Sequence, residues 1–104
     1  MIVKIRLVDG VSQANHPSAI RWSSRFGSDG LSKLVEKTMK VSQPVFLLGE
    51  DLTCEDMILG YCTDLSEGKT PQELGISDAV SEISDAFELR VAVSPSKLVD
   101  QPFC

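Results

Sequence analysis

A two-residue alternation near both ends of the chain is the feature that most constrains its fold. In residues 1–8 and 87–93, apolar side chains occupy every second position. The alternating apolar residues are Met1, Val3, Ile5, Leu7, Phe87, Leu89, Val91 and Val93. Because side chains alternate between the two faces of a β-strand, both segments are predicted to be strands with one face against a core.

The first of these strands is followed by two more periodic segments. Residues 19–26 alternate again, which predicts a second strand, antiparallel to the first, after a loop over residues 9–18. The apolar face of this second strand is predicted to contain Ile20, Trp22 and Phe26. Residues 31–40 repeat apolar side chains at helical spacing, which predicts an amphipathic helix.

The second half of the chain is less regular. Residues 57–62 are predicted to form a strand, and residues 78–85 an acidic connector. Residues 45–48 are too short a run to separate a strand from a buried turn of helix. A chain of 104 residues buries one modest core. We therefore expect an α+β domain over residues 1–94, with a mixed sheet of four to five strands packed on one main helix, and a proline-containing tail over residues 95–104.

A short turn over residues 65–76 has distinct local chemistry. Gly68 permits a positive backbone angle, and Thr70 is placed to cap a single helical turn that begins at Pro71 and ends at Gly75. Leu65 and Leu74 are expected to be core residues beneath this turn.

The segment 57–76, MILGYCTDLSEGKTPQELGI, resembles ubiquitin and its relatives. The matching residues are Ile58, Leu59, Leu65, Glu67, Gly68, Lys69, Thr70 and Leu74. The resemblance implies a ubiquitin-like β-grasp fold and a non-catalytic role as a protein-interaction module or assembly subunit, such as an adaptor in the ubiquitin pathway. It also implies that Leu59 occupies one position of an apolar partner-binding patch on the sheet.

Three departures from the family pattern qualify what the resemblance implies. The loop over residues 9–18 and the connector over residues 41–56 are both longer than usual, and no Gly-Gly follows the last predicted strand. Because conjugation needs a diglycine carboxylate, we expect this chain not to be a covalent modifier.

Charge is distributed unevenly along the chain. Residues 1–40 hold seven basic and three acidic residues, whereas residues 41–104 hold three basic and twelve acidic ones. Strand parity puts Lys4, Arg6, Arg21 and Arg25 on one exposed face of the leading hairpin. This pattern favours an acidic protein partner. It would also suit a Ras-association-type β-grasp domain that binds a small GTPase, which is the alternative to the ubiquitin-like module. A solvated face without a partner also fits the pattern.

Other functions find little support in the sequence. The net charge of −5 disfavours nucleic acid as a partner, and no apolar run is long enough to cross a membrane. Cys54 or Cys62 with His16 is the only pairing of a thiol nucleophile with a histidine base, and it lacks a catalytic signature. Neither phosphate-binding glycine motifs nor metal-ligand spacings occur, so we expect no enzyme activity, no cofactor and no small-molecule ligand. Three irregularly spaced cysteines favour a reducing, intracellular compartment, cytoplasmic or nuclear.

Overall fold

A computed structural model describes residues 2–26 and 30–95. The part described is an α+β structure with a mixed six-stranded sheet and three α-helices. The strands are β1 (Ile2–Asp9), β2 (Asn15–Arg21), β3 (Pro44–Leu48), β4 (Asp51–Thr53), β5 (Val80–Ile83) and β6 (Ala86–Pro95). The helices are α1 (Gly30–Met39), α2 (Glu55–Ser66) and α3 (Pro71–Leu74), followed by a 3-10 helix over Ser77–Ala79.

Strand β6 is the centre of the sheet. The strand order is β2-β1-β6-β3-β4, and β5 also pairs with β6. On one side β6 runs parallel to β1, from Ala86 beside Ile2 to Val93 beside Asp9. On its other side it pairs antiparallel with β5 and then, further along, with β3. The two segments that alternate most clearly in the sequence are therefore neighbours in the middle of the sheet.

The core lies between one face of this sheet and the two longer helices. The sheet contributes buried alternate residues, of which those outside β3 were expected: Val3, Ile5, Leu7, Ile20, Phe46, Leu48, Phe87, Leu89, Val91 and Val93. Helix α1 adds Leu31 and Val35, and α2 adds Ile58, Cys62 and Leu65. Both helices cover the same face of the sheet, because their buried residues belong to one hydrophobic cluster with these strand residues.

A carboxylate joins the beginnings of these two helices. Glu55, the first residue of α2, accepts hydrogen bonds from the backbone amides of Leu31 (2.5 Å) and Ser32 (3.1 Å). The hydroxyl of Ser32 donates to the other carboxylate oxygen at 3.0 Å. The first amides of a helix have no partner within it, so Glu55 supplies the cap that α1 needs.

The predicted turn over residues 65–76 begins two residues later than expected, because Leu65 and Ser66 still belong to α2, and from residue 67 onward it has the predicted geometry. The side chain of Thr70 accepts a hydrogen bond from the amide of Glu73 at 3.2 Å, and Pro71 begins α3. Gly68 and Gly75 have φ angles of 105° and 71°, in the region that favours glycine. Leu65 is fully buried, as expected, whereas Leu74 is half-buried against the core.

Residues 19–26 do not form the second strand as predicted. That strand, β2, covers Asn15–Arg21 and includes His16 and Pro17, which were expected in a loop. Pro17 is compatible with this strand because β2 lies at the edge of the sheet, where an amide can go unpaired. A register irregularity between Arg6 and Val8 lets the pairing with β1 extend toward Asn15.

Residues 57–62 are helical, and the prediction of a strand there was wrong. They lie within α2, whose buried residues Ile58, Cys62 and Leu65 follow helical spacing. Glu55 and Asp56 occupy the first turn, where the helix dipole favours acidic side chains. The structure thus has two main helices, of 10 and 12 residues, instead of one.

The number of strands also exceeds the predicted four to five. The ambiguous run over residues 45–48 belongs to β3, and the expected acidic connector contains the 3-10 helix and β5. The last strand continues to Pro95, one residue past the predicted domain boundary. The rest of the predicted tail, residues 96–104, lies outside the described residues.

Candidate protein-interaction surfaces

The outer face of the sheet carries a cluster of basic residues. Ile2, Lys4 and Arg6 alternate along β1 on the face opposite the core, and Arg21 of β2 lies directly across from Lys4. We call these four residues the basic face. Ile2 is 50% exposed, which is unusual for a large apolar side chain in a strand. The basic face therefore combines an exposed apolar group with three cations.

Like charges are adjacent on this surface. Lys4 pairs with Arg21 across the antiparallel ladder, and Arg6 lies beside Arg90 of β6 in the parallel one. Like charges directly opposite one another destabilise a sheet. Arg6 is partly compensated by an ion pair with Glu88 at 3.5 Å and donates to the backbone oxygen of His16 at 3.1 Å. Within residues 2–26 and 30–95, Lys4 and Arg21 form no ion pair.

The structure brings together only part of the predicted partner-binding set. Lys4, Arg6 and Arg21 are neighbours, as parity predicted. Arg25 lies in a turn after β2, exposed but not in the sheet. Leu59 lies on α2, half-buried against the core, and not on a strand. Its assignment to an apolar sheet patch therefore fails, because that assignment depended on the strand predicted over residues 57–62.

Arg90 lies next to the basic face and was not among the residues predicted to bind a partner. It is exposed on β6 and donates to the backbone oxygen of Asp78 at 2.6 Å, which ties the 3-10 helix to the sheet. The sequence already placed Arg90 on the face of the last strand opposite Leu89 and Val91. Its proximity to Arg6 was not, because the parallel pairing of β1 with β6 joins residues 84 positions apart.

A groove lies at the other edge of the sheet. Its volume is about 580 Å³, and it is formed by the β3–β4 turn, α2 and the segment around the 3-10 helix. Its apolar lining includes Leu52, Met57 and Tyr61, and Met57 is 37% exposed. We call this site the acidic groove because Glu50, Asp51 and Asp78 also line it.

No basic side chain lines the acidic groove among the residues described. Glu50, Asp51 and Asp78 are all exposed, and none forms an ion pair within the described ranges. The sequence contained the acidic run at residues 50–56 but did not indicate that it lies at a groove. The groove arises only when the β3–β4 turn packs near α2.

Thr53 is the buried polar residue of this region. It is 4% exposed, and its hydroxyl has no hydrogen-bond partner among the described residues. Thr53 lines the acidic groove and also a smaller cleft of about 330 Å³ between α1 and the β3–β4 hairpin. A buried hydroxyl without a partner costs free energy, so this position has an unused hydrogen-bonding group close to both clefts.

Cys62 is buried within α2, whereas His16 lies on a different element of the fold. Burial raises the pKa of the Cys62 thiol to about 12, so this thiol stays protonated and weakly nucleophilic at neutral pH. His16 lies on the edge strand β2, and its Nδ1 accepts a hydrogen bond from the amide of Ser18 at 3.2 Å. Over the described ranges, no group of three or more His, Cys, Asp or Glu residues is arranged to hold a metal ion.

Comparison with known proteins gives no match: no family, no curated protein and no solved structure is similar to this chain at a significant level. In the part of the chain that the structure covers, no helix has the length and apolar character needed to span a membrane.

Proposed function

We propose that this chain is a non-catalytic protein-interaction module of the ubiquitin-like β-grasp type. The order of elements supports this proposal: a leading hairpin, then a helix packed on the sheet, then the remaining strands. The Gly68-Lys69-Thr70 turn that carries the resemblance has its positive φ angle and its threonine cap. Within the ubiquitin-like family, this turn and the long connector before the last strand are similar to those of elongin B, which favours a role as an assembly subunit.

The observation that carries the proposal is the open basic face. Within residues 2–26 and 30–95, both main helices lie on the opposite side of the sheet. Lys4 and Arg21 are left as direct like-charge neighbours. An acidic partner would offset their repulsion and cover the exposed side chain of Ile2. The partner proposed is accordingly an acidic protein, bound through Lys4, Arg6 and Arg21.

Affinity capture from native cell extract tests this function. The wild-type protein is compared with Arg21→Glu, which reverses a charge on the basic face, and with the matched control Lys33→Glu on the exposed side of α1. We expect wild type and the control to retain the same acidic protein at low salt, and Arg21→Glu to retain about tenfold less. Equal retention by all three proteins would contradict the proposal.

The alternative is a Ras-association-type domain, and one observation favours it. Among the described residues, β2 is an edge strand of the sheet, with Arg21 exposed at its end. An edge strand offers unpaired backbone groups to a strand of a partner. Binding to small GTPases loaded with GTP and not to the same proteins loaded with GDP would select this alternative. Absence of binding to either form would reject it.

A further inference from the structure

The chemistry of the acidic groove defines what it can bind. Its apolar lining, with Met57 partly exposed, accommodates an apolar side chain. The carboxylates of Glu50, Asp51 and Asp78 at the same groove favour cations next to that side chain. The groove therefore fits a surface on which one apolar residue is surrounded by basic ones.

The chain itself carries such a surface. On the basic face, Ile2 is half exposed, Lys4 and Arg6 follow it on the same side of β1, and Arg21 lies across from Lys4. Within the described residues, Lys4 and Arg21 of the basic face and the three carboxylates of the groove form no ion pair, and a contact between the two surfaces would neutralise these charges.

The two surfaces cannot meet within one molecule. The basic face is on β1 and β2, at one edge of the strand order, and the acidic groove is beside β4, at the other. Two hydrogen-bonded strands, β6 and β3, lie between the basic face and β4 and keep the two surfaces apart. Any contact between the two surfaces has to join different molecules.

We propose that the acidic groove binds the basic face of a second copy of this chain, in head-to-tail association. This inference rests on the proposed function, since it identifies the acidic partner of the basic face as another copy. A contact between two different surfaces of the same protein leaves one of each unused after every step. The expected products are open oligomers or rings that grow with protein concentration, and not a closed symmetric dimer.

Sedimentation velocity of the purified protein at low salt tests this association. Wild type is compared with Arg21→Glu on the basic face and Asp51→Lys at the groove. The matched controls are Lys33→Glu and Glu82→Lys, which make the same charge changes at exposed positions elsewhere. We expect wild type and both controls to form oligomers whose size rises with concentration and falls in about 0.5 M salt. Each surface variant should require roughly tenfold more protein to associate.

An equimolar mixture of the two surface variants gives the most specific result. Arg21→Glu keeps an intact groove and Asp51→Lys an intact basic face, so the mixture has one working contact. We expect it to form a one-to-one dimer that grows no further. Wild type that remains monomeric at all concentrations, or a mixture that forms no dimer, would overturn the inference.

The same variants separate failure of this inference from failure of the proposed function. If the wild type is monomeric yet captures an acidic protein from extract in an Arg21-dependent way, the interaction module stands and self-association is wrong. If neither occurs, both proposals are wrong.

Discussion

The basic face and the acidic groove differ in how the chain constructs them. The basic face comes from two adjacent strands of one hairpin, where alternation alone decides which side chains share a side. The acidic groove is assembled from the β3–β4 turn, α2 and the segment around the 3-10 helix. Opposite charges in the two halves of the sequence thus become opposite charges at two edges of one sheet. Local periodicity locates the first surface, and only tertiary packing creates the second.

The substitution Leu65→Ala is expected to have the largest effect, and it tests whether the parts of the protein that carry the two surfaces unfold together. Leu65, near the end of α2, is fully buried within the same cluster as the core residues of β1. We expect a loss of about 2–5 kcal/mol in the free energy of unfolding. Urea titrations followed by the fluorescence of Trp22 and by far-ultraviolet circular dichroism should give coincident transitions. Two separate transitions would show that the hairpin and α2 unfold independently.

Glu55→Ala weakens the groove side of the molecule in a more limited way. The substitution removes the carboxylate that caps α1 and joins it to α2. We expect a loss of about 1–3 kcal/mol, the usual range for unpairing partly buried donors. Hydrogen exchange should speed up first at the amides of Leu31 and Ser32. Unchanged exchange at both amides would show that another group caps the helix.

Arg21→Glu is expected to stabilise the hairpin. It replaces a like-charge pair with an opposite-charge pair between positions 21 and 4. We expect a gain of about 0.2–1 kcal/mol in chemical denaturation at low salt, shrinking as salt is added. The variant should thus bind a partner less well while folding more stably, a combination that a purely structural role for Arg21 does not produce. Loss of stability would show that Lys4 and Arg21 do not face each other.

The smallest effect concerns the turn between β1 and β2. Hydrogen bonds from the amides of Ser12 and Val11 hold the pKa of Asp9 below its ordinary value of 3.8. A lowered native pKa means that the stabilisation is complete above that ordinary value and is lost as the pH falls through the native pKa. Asp9→Asn should therefore flatten the acid side of the stability profile between about pH 5 and 2. Parallel profiles for wild type and variant would contradict this.

The sequence predicts best where one physical signal acts alone. Strict alternation identified β1 and β6, and the cap at Thr70 identified α3, because both signals are local. The strand predicted over residues 57–62 was wrong because a short apolar run is compatible with either a strand or a helix. These residues form a helix because α2 buries one side against the core. Arg21 was assigned correctly by parity, whereas Arg25 was not, because the strand ends before it. The groove had no local signal, since its lining comes from segments that are far apart in the sequence.

The central position of β6 has a consequence for how the protein is made. Synthesis proceeds from the N-terminus at roughly 5–20 residues per second. Strand β1 therefore cannot pair with β6 until residues 86–95 have left the ribosome, some seconds after β1 itself. During that interval β1 and β3 both have an unpaired edge and an uncovered apolar side, the conditions under which nascent chains aggregate. Lys4 and Arg6 repel the same strand of another nascent chain. These two charges would therefore reduce aggregation during synthesis, in addition to their role on the folded surface.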